Sequence, residues 1–416
     1  MDRLEDVDRR VAIVGAGYAG MACAVTLAAQ GVPVTVYESA PVPGGRARRV
    51  VSQGETLDNG QHVLIGAYGE LFDLMRRVGV PADALLRMPF ELRYAGGFAL
   101  RALRLPAPLG LLAGLLAARG VPPGERIGAA RFVLALRRRR FRLEQDCTVD
   151  ELLAHHAQEG SIARHLWRPL CVSALNTPPE RAAAGAFLAV LRDTLGGKRG
   201  ASDLLLPRVD LSRLFPEPAA AWLAAHGGEL RLNARVRDIE ALRREHAAVV
   251  IAVGPHQLAA LAPALAPDYE YQPIYTIYLQ YPGHVRLPLP MLGLDGGLAQ
   301  WVFDRGALLG ERGRLACVIS AQGDHQQMGH DELGATCARE LARALPQLPA
   351  PLSARVIAEK RATVACTPGL ARPGPATQWP DVFLAGDYTD PEYPPTLEAA
   401  ARSGVRAARL CYARVR

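Results

Sequence analysis

Residues 15–20 read Gly15-Ala16-Gly17-Tyr18-Ala19-Gly20, three glycines at the spacing that cradles a pyrophosphate. The first glycine permits a tight turn. The second lets the backbone approach phosphate where any side chain would collide, and the third lets a helix pack close on its strand. The flanks supply the elements this needs. VAIVG at 11–15 is a short apolar run with β-branched residues and predicts a buried strand. Residues 18–30 are rich in helix formers and stop at Gly31, and PVTVY at 33–37 predicts the next strand. Strand, helix and strand make a βαβ unit with a right-handed crossover. A pyrophosphate at the helix N-terminus meets free N–H groups and the positive end of the dipole. Glu38 closes the second strand, with Ser39 beside it; a carboxylate there binds adenosine ribose hydroxyls and repels a 2′-phosphate.

Three further constellations follow. Gly44-Gly45-Arg46 suggests a second close backbone approach, with a guanidinium able to make a forked contact to phosphate. Asp58-Asn59-Gly60-Gln61-His62 places a glycine beside two polar side chains. Gly386-Asp387 ends the apolar run DVFLAGD, and Thr396-Leu397-Glu398 opens a helix predicted over 396–413. With its glycine pair and arginine placed after the dinucleotide fingerprint, the sequence resembles the flavin-containing amine oxidase and carotenoid desaturase superfamily. The resemblance implies FAD. It places Asn59, Gly60, Gln61 and His62 beside the isoalloxazine ring and Asp387 on the ribityl or pyrophosphate. It points the helix at Thr396 and Leu397 toward the flavin and puts the Val236 backbone on adenine. His62 can equally be a hydrogen-bonded structural histidine.

These motifs must be brought together by the rest of the chain. A helix is predicted at 70–79, mostly helical chain over 81–200 with a break at Asn176-Thr177-Pro178-Pro179, and a helix at 216–226. Strands are predicted at 229–240, 247–254, 275–281, 298–304, 314–322, 354–359 and 381–387, with a helix at 330–345. The nucleotide-binding signals sit at both ends and near 230–254. The expected architecture is therefore α/β: a Rossmann-type FAD-binding domain (GR2-like) with an inserted α+β substrate domain and a helical region that could face a membrane. The expected bounds are 1–80, 200–258 and 370–416 for the first domain, and 81–199 and 259–369 for the second.

Bulk properties narrow the class. Half of the 416 residues are hydrophobic and 21% are charged, which excludes wholesale disorder. All but two of the 48 basic residues are arginine, the exceptions being Lys198 and Lys360, so no single arginine cluster carries weight by itself. The net charge of +7 suits an anionic surface or ligand, but no zinc-finger or RNA-binding signature supports nucleic acid. The cysteines form no CxxC pair, and reduced thiols in a cytoplasmic protein are expected. His325 and His330 lack a third ligand, so no metal site is expected. The first ten residues carry no secretory signal. The apolar run 105–118 is shorter than the roughly twenty residues a spanning helix needs. Together with the arginine-rich segment 131–142 it could dock on the inner face of an anionic bilayer. An ordinary core helix with a solvated basic face is an equal reading.

Narrower segments, NGQHVLIGAY at 59–68, LCVSALNTPPERA at 170–182, ASDLLLPRVDLSRLFP at 201–216 and GDYTDPEYPPTLEAAARSG at 386–404, resemble the squalene-associated FAD enzymes of the hydroxysqualene dehydroxylase family. That resemblance implies reduction of hydroxysqualene, a long apolar isoprenoid, to squalene in hopanoid synthesis. The leaving hydroxyl would need an acid; His62 and then Lys360 are the candidates. No second dinucleotide fingerprint identifies the electron donor. Two alternatives remain: a phytoene-type desaturase running oxidatively, and a non-catalytic prenyl-lipid carrier on the same fold, as in Rab GDP-dissociation inhibitors.

Overall fold

The computed structural model describes residues 8–103, 105, 109–196 and 200–416. A five-stranded parallel sheet runs in the order Glu229–Arg231, Val34–Tyr37, Asp8–Val14, His246–Ile251, Val382–Leu384. Residues Val11–Val14 and the strands Val34–Tyr37, His246–Ile251 and Val382–Leu384 are mostly apolar because both faces are covered, whereas the edge strand Glu229–Arg231 exposes two charged side chains. Val11, Ile13, Val34, Val36, Ala248, Val250 and Phe383 enter one core, whereas Ala12, Val14, Val249, Ile251, Val382 and Leu384 enter another. The first core is closed by helix Tyr18–Ala28 and the last helix, Leu397–Val415. Small residues let these two approach: a Cβ on Gly404 would lie 2.2 Å from the Ala19 carbonyl oxygen.

A second, antiparallel sheet has the order Met291–Gly293, Trp301–Asp304, Arg314–Ser320, Tyr271–Gln280, Ser353–Val364. Helix His330–Ala344 covers one face through Leu333, Cys337 and Leu341. The opposite face joins the helical region in a single core that includes Phe132, Trp167, Phe187, Tyr278 and Phe303. A small sheet, Leu64–Ile65, Leu204–Pro207 and Leu85–Met88, pairs the segment after Gln61-His62 with the segment after 201, so two of the sequence motifs meet in one ladder.

Several expectations are corrected. The stretch 81–200 contains strands Leu85–Met88, Glu91–Arg93 and Ala99–Arg101 before its helices, because short paired strands lack a long apolar period. The strand expected over 229–240 stops at Arg231, and helix Ile239–Glu245 begins behind the Asp238 cap. Val236 therefore lies in a connection rather than a strand. The basic segment 131–142 is the tail of helix Pro123–Arg138, broken where Arg140 and Phe141 adopt positive φ. The apolar run 105–118 yields helix Leu109–Leu116; its residues 106–108, like Lys198, lie outside the described residues. No described helix is long and apolar enough to cross a membrane.

Candidate active site

In the parallel sheet the carboxyl ends of all strands share one edge, the place where open α/β sheets bind ligands. Gly15, Glu38, the 252–254 turn and Gly386-Asp387 all follow strands there, and they line a cavity of about 1190 Å3. That exceeds the roughly 300–1,000 Å3 of ordinary small-molecule sites. The walls also include Gly17, Tyr18, Ala19, Ser39, Gly44, Gly45, Arg46, Asn59, Gly60, Gln61, His62, Val236, Lys360, Thr396 and Leu397. The structure thus gathers nearly every candidate residue around one space.

Two candidates stand behind the wall instead. Ala16 is fully buried, and its amide donates to Glu38 Oε2 at 2.8 Å. Gly20 serves packing: a Cβ there would sit 1.9 Å from the Gly15 carbonyl oxygen. At the cavity itself, Gly17 faces Gly45 with no side chain between them, and Gly44 N donates to Ala16 O at 2.8 Å. The two glycine loops therefore present bare backbone. No side chain caps the helix that starts at Tyr18, so its first amides point at the cavity unsatisfied by a cap.

Glu38 is pinned. Its other oxygen accepts from Ala40 N at 2.8 Å and from Ser39 Oγ at 3.3 Å. Its carbonyl accepts from Ala234 N at 2.8 Å, which draws Val236 to the same end. Arg46 reaches both ways: Nη2 donates to Asp387 Oδ1 and Nη1 to Ala362 O, each at 2.7 Å. Asn59 Nδ2 donates to Arg46 O at 2.9 Å and Glu359 Oε2 at 3.0 Å.

Behind Asn59 lies a buried charge network. Asp58 accepts from Leu211 N at 2.9 Å and from Arg305 Nη1 at 3.0 Å, and Arg305 forks onto Glu311. Burial pushes the Asp58 carboxyl above its ordinary range, against the pull of Arg305. Tyr278 Oη donates to Asp58 O at 2.7 Å and accepts from Gln61 Nε2 at 3.1 Å, which orients Gln61 along the wall.

His62 faces the cavity with its Nδ1 lacking any partner. Burial, with the Arg46 charge adding to it, lowers its pKa to about 4. The ring is therefore neutral near pH 7 and can donate or accept a hydrogen bond but is not charged as an acid would be. Lys360 lies on the wall in an irregular part of strand Ser353–Val364. Thr396 caps the final helix through Ala399 N at 3.1 Å. Glu398 turns away from the cavity: it is fully buried and accepts from Gly69, Glu70 and Leu71 amides, capping helix Gly69–Arg77.

The wall holds residues the motif reading missed. Tyr68, Asn176, His256, Arg361 and Tyr388 all line it. Burial, followed by the Glu398 charge, raises the Tyr68 phenol above its ordinary range, so it stays protonated. His256 could have been found, since Gly254-Pro255 directly follows a strand ending at the binding edge. Tyr388 follows Asp387 in sequence, and its buried hydroxyl lacks a partner. Among the described residues no group of His, Cys, Asp and Glu could hold a metal ion.

Comparison with known proteins gives this cavity a family. Residues 18–411 match the family described as Flavin containing amine oxidoreductase. A Hydroxysqualene dehydroxylase of Rhodopseudomonas palustris is 31% identical, with 98% of this chain and 99% of that protein covered. The Synechococcus elongatus protein named Probable zeta-carotene desaturase is 30% identical, but the likeness covers only 56% of this chain and 51% of that one. A redesigned Putrescine Oxidase shares the fold, with TM-score 0.69 and 18% identity over 98% of this chain and 99% of the other. The family match over residues 18–411 and the nearly full-length likeness to the Rhodopseudomonas palustris enzyme place the chain in the flavin containing amine oxidoreductase family, among its hydroxysqualene dehydroxylases.

Proposed function

We propose that this flavin-dependent oxidoreductase binds FAD and reduces hydroxysqualene to squalene. The observation that carries the reading is the nearly full-length likeness to the Rhodopseudomonas palustris enzyme. The cavity fits FAD on its own terms. Its glycine loops leave bare backbone where Cβ atoms at Gly17 and Gly45 would project, which suits a pyrophosphate. Glu38 and Val236 leave a polar and an apolar contact at one end, which suits adenosine. The orphaned His62 Nδ1 awaits a polar partner near the other end.

FAD, when bound and reduced, supplies a hydride. The chain's own residues do the rest. Backbone amides at 17–19 would hold the pyrophosphate, with Arg46 adding charge. The N-terminus of helix Leu397–Val415 would favour negative charge on a reduced flavin bound at this end of the cavity. Gln61, held by Tyr278, and His62, held neutral, orient the substrate hydroxyl by hydrogen bonds. Lys360, on the cavity wall, is the proton donor for the departing hydroxyl, which leaves as water. We also propose that the enzyme meets its apolar substrate at a lipid surface. Leu109 and Leu116 are exposed on one face of their helix, with Leu103 and Leu105 before it and Ile127 and Leu134 on the next helix beside exposed Arg131, Arg137 and Arg138.

An anaerobic single turnover tests the reaction. Photoreduced protein is mixed with hydroxysqualene in detergent while flavin absorbance and extracted lipid are followed. Reoxidation with stoichiometric squalene is expected. A flavin that stays reduced with untouched substrate refutes the reading and favours the desaturase alternative, to which the partial likeness to the Synechococcus protein points; oxidised enzyme is then tried on phytoene. Protein that purifies without flavin and takes up none supports the carrier reading. Acid release and chromatography of the flavin distinguish FAD from FMN. Sedimentation with anionic vesicles, lost in L109E/L116E, tests the docking face.

A further inference from the structure

We infer that Asn176 is a positioning residue for the flavin site, acting through a bulge in the neighbouring sheet. Strands Tyr271–Gln280 and Ser353–Val364 pair regularly from Gln280↔Ser353 to Ile274↔Glu359, and pairing resumes at Gln272↔Thr363. Pro273 alone therefore faces Lys360, Arg361 and Ala362. Proline has no N–H, so the ladder cannot close across it. In a regular strand alternate residues would point to the far side of the sheet. Here Ala358 through Thr363 all line the cavity, and Ala362 O is free to accept from Arg46.

Something must hold so wide a bulge in one shape. Asn176 ends helix Arg168–Leu175 in the left-handed conformation, φ 46°, and is 4% exposed. Its Nδ2 faces Thr363 Oγ1 at 3.0 Å, Pro273 O at 3.2 Å and Gln272 O at 3.4 Å. Its Oδ1 accepts from Ala321 N at 2.7 Å. The amide thus grips both sides of the gap at the position where pairing resumes. Both of its protons are committed to protein acceptors, so it has no donor left for a ligand although it stands at the wall. From there the path is short: bulge to Ala362 O, to the Arg46 guanidinium, to Asp387, with Glu359 holding Asn59 from the same bulge. This gives the Asn176-Thr177-Pro178-Pro179 segment a role beyond ending a helix. A helix end requires only the left-handed backbone, which glycine adopts equally well. The bulge requires the amide.

That contrast sets the test, which rests on the cavity being the flavin site. Apo-protein of wild type, N176G, R46K and the double variant is titrated with FAD, reading flavin fluorescence and the visible spectrum, with thermal melting of each apo-protein as the fold control. N176G is expected to weaken FAD binding about 10- to 100-fold, the range for losing a partner that orients a ligand-holding residue, and to shift the flavin absorbance. R46K should add little on top of it, since both changes break one path. Wild-type affinity and spectrum in N176G overturn the inference, as do effects of N176G and R46K that simply multiply. Should N176G not fold, T363V, which removes one acceptor of the amide, is expected to show the same coupling to R46K at smaller size, and independence there overturns it equally. Failure of wild type itself to bind FAD would instead overturn the flavin assignment.

Discussion

Gly17 and Gly20 belong to one motif, yet the structure predicts opposite failures when each becomes alanine. Gly17 has φ −73°, a value any residue adopts, and its Cβ would lie 3.8 Å from the Gly45 Cα, an ordinary contact. The added methyl enters the cradle and meets no protein atom closely. Apo-protein stability should change by no more than about 1 kcal/mol, with the loss of unfolded-state freedom favouring alanine. On the FAD reading, a bound pyrophosphate would have to back away from the loop amides. Hydrogen bonds to a charged group are worth about 1.5–3 kcal/mol each. Loss of one or two would weaken FAD binding by roughly one to four orders of magnitude, at about 1.4 kcal/mol per decade. Gly20 is the reverse. Its Cβ would lie 1.9 Å from the Gly15 carbonyl oxygen and 3.2 Å from Ala252 Cβ, so backbone must move. The cost belongs at or above the top of the about 1–3 kcal/mol range for overpacking. Apo-protein melting and FAD titration of G17A and G20A read both effects. A G17A protein that retains flavin at wild-type stoichiometry, or a G20A protein that melts with wild type, would refute the division of labour between the two glycines.

Other perturbations follow from the same geometry. E398A removes the acceptor of three helix amides and one partner of Arg402, and should destabilise by about 3–5 kcal/mol, as for breaking a buried pair, with E398Q milder; hydrogen exchange over 69–77 that is unchanged in E398A would contradict it. Because His62 titrates at about 4 in the folded chain against 6.5 ordinarily, the unfolded chain binds more protons between those values. The His62 contribution to stability is therefore complete above about pH 6.5 and falls as pH drops toward 4. H62Q should reduce the slope of the apo-protein's melting temperature over that window, the rest coming from other histidines whose pKa burial lowers, such as His256, and an unaltered slope would count against the burial argument. R305M should loosen the Asp58–Gln61 segment and leave Asp58 buried without its cation, so that chemical denaturation shifts to lower urea while D58N/R305M recovers part of the loss; no recovery would mean the pair is not acting as a unit.

The motifs legible in the sequence are those that local backbone geometry dictates. Three glycines between an apolar strand and a helix can hardly serve any other local conformation, and runs such as VAIVG read as strands because both of their faces are buried. All the expected site residues but Ala16 and Gly20 line one cavity, and the α/β fold is as expected. The partners of those residues were not legible. Arg46 meets Asp387 and Ala362, Asp58 meets Arg305, and Glu398 caps a helix at Gly69, all across long stretches of chain whose relative placement no local preference encodes. The bulge at Lys360–Ala362 depends on a proline in a different strand and an asparagine at the end of a helix. Short-range sterics and periodicity are written in neighbouring residues; a buried hydrogen bond is decided only when packing brings a donor and an acceptor together and removes the water that would otherwise satisfy both.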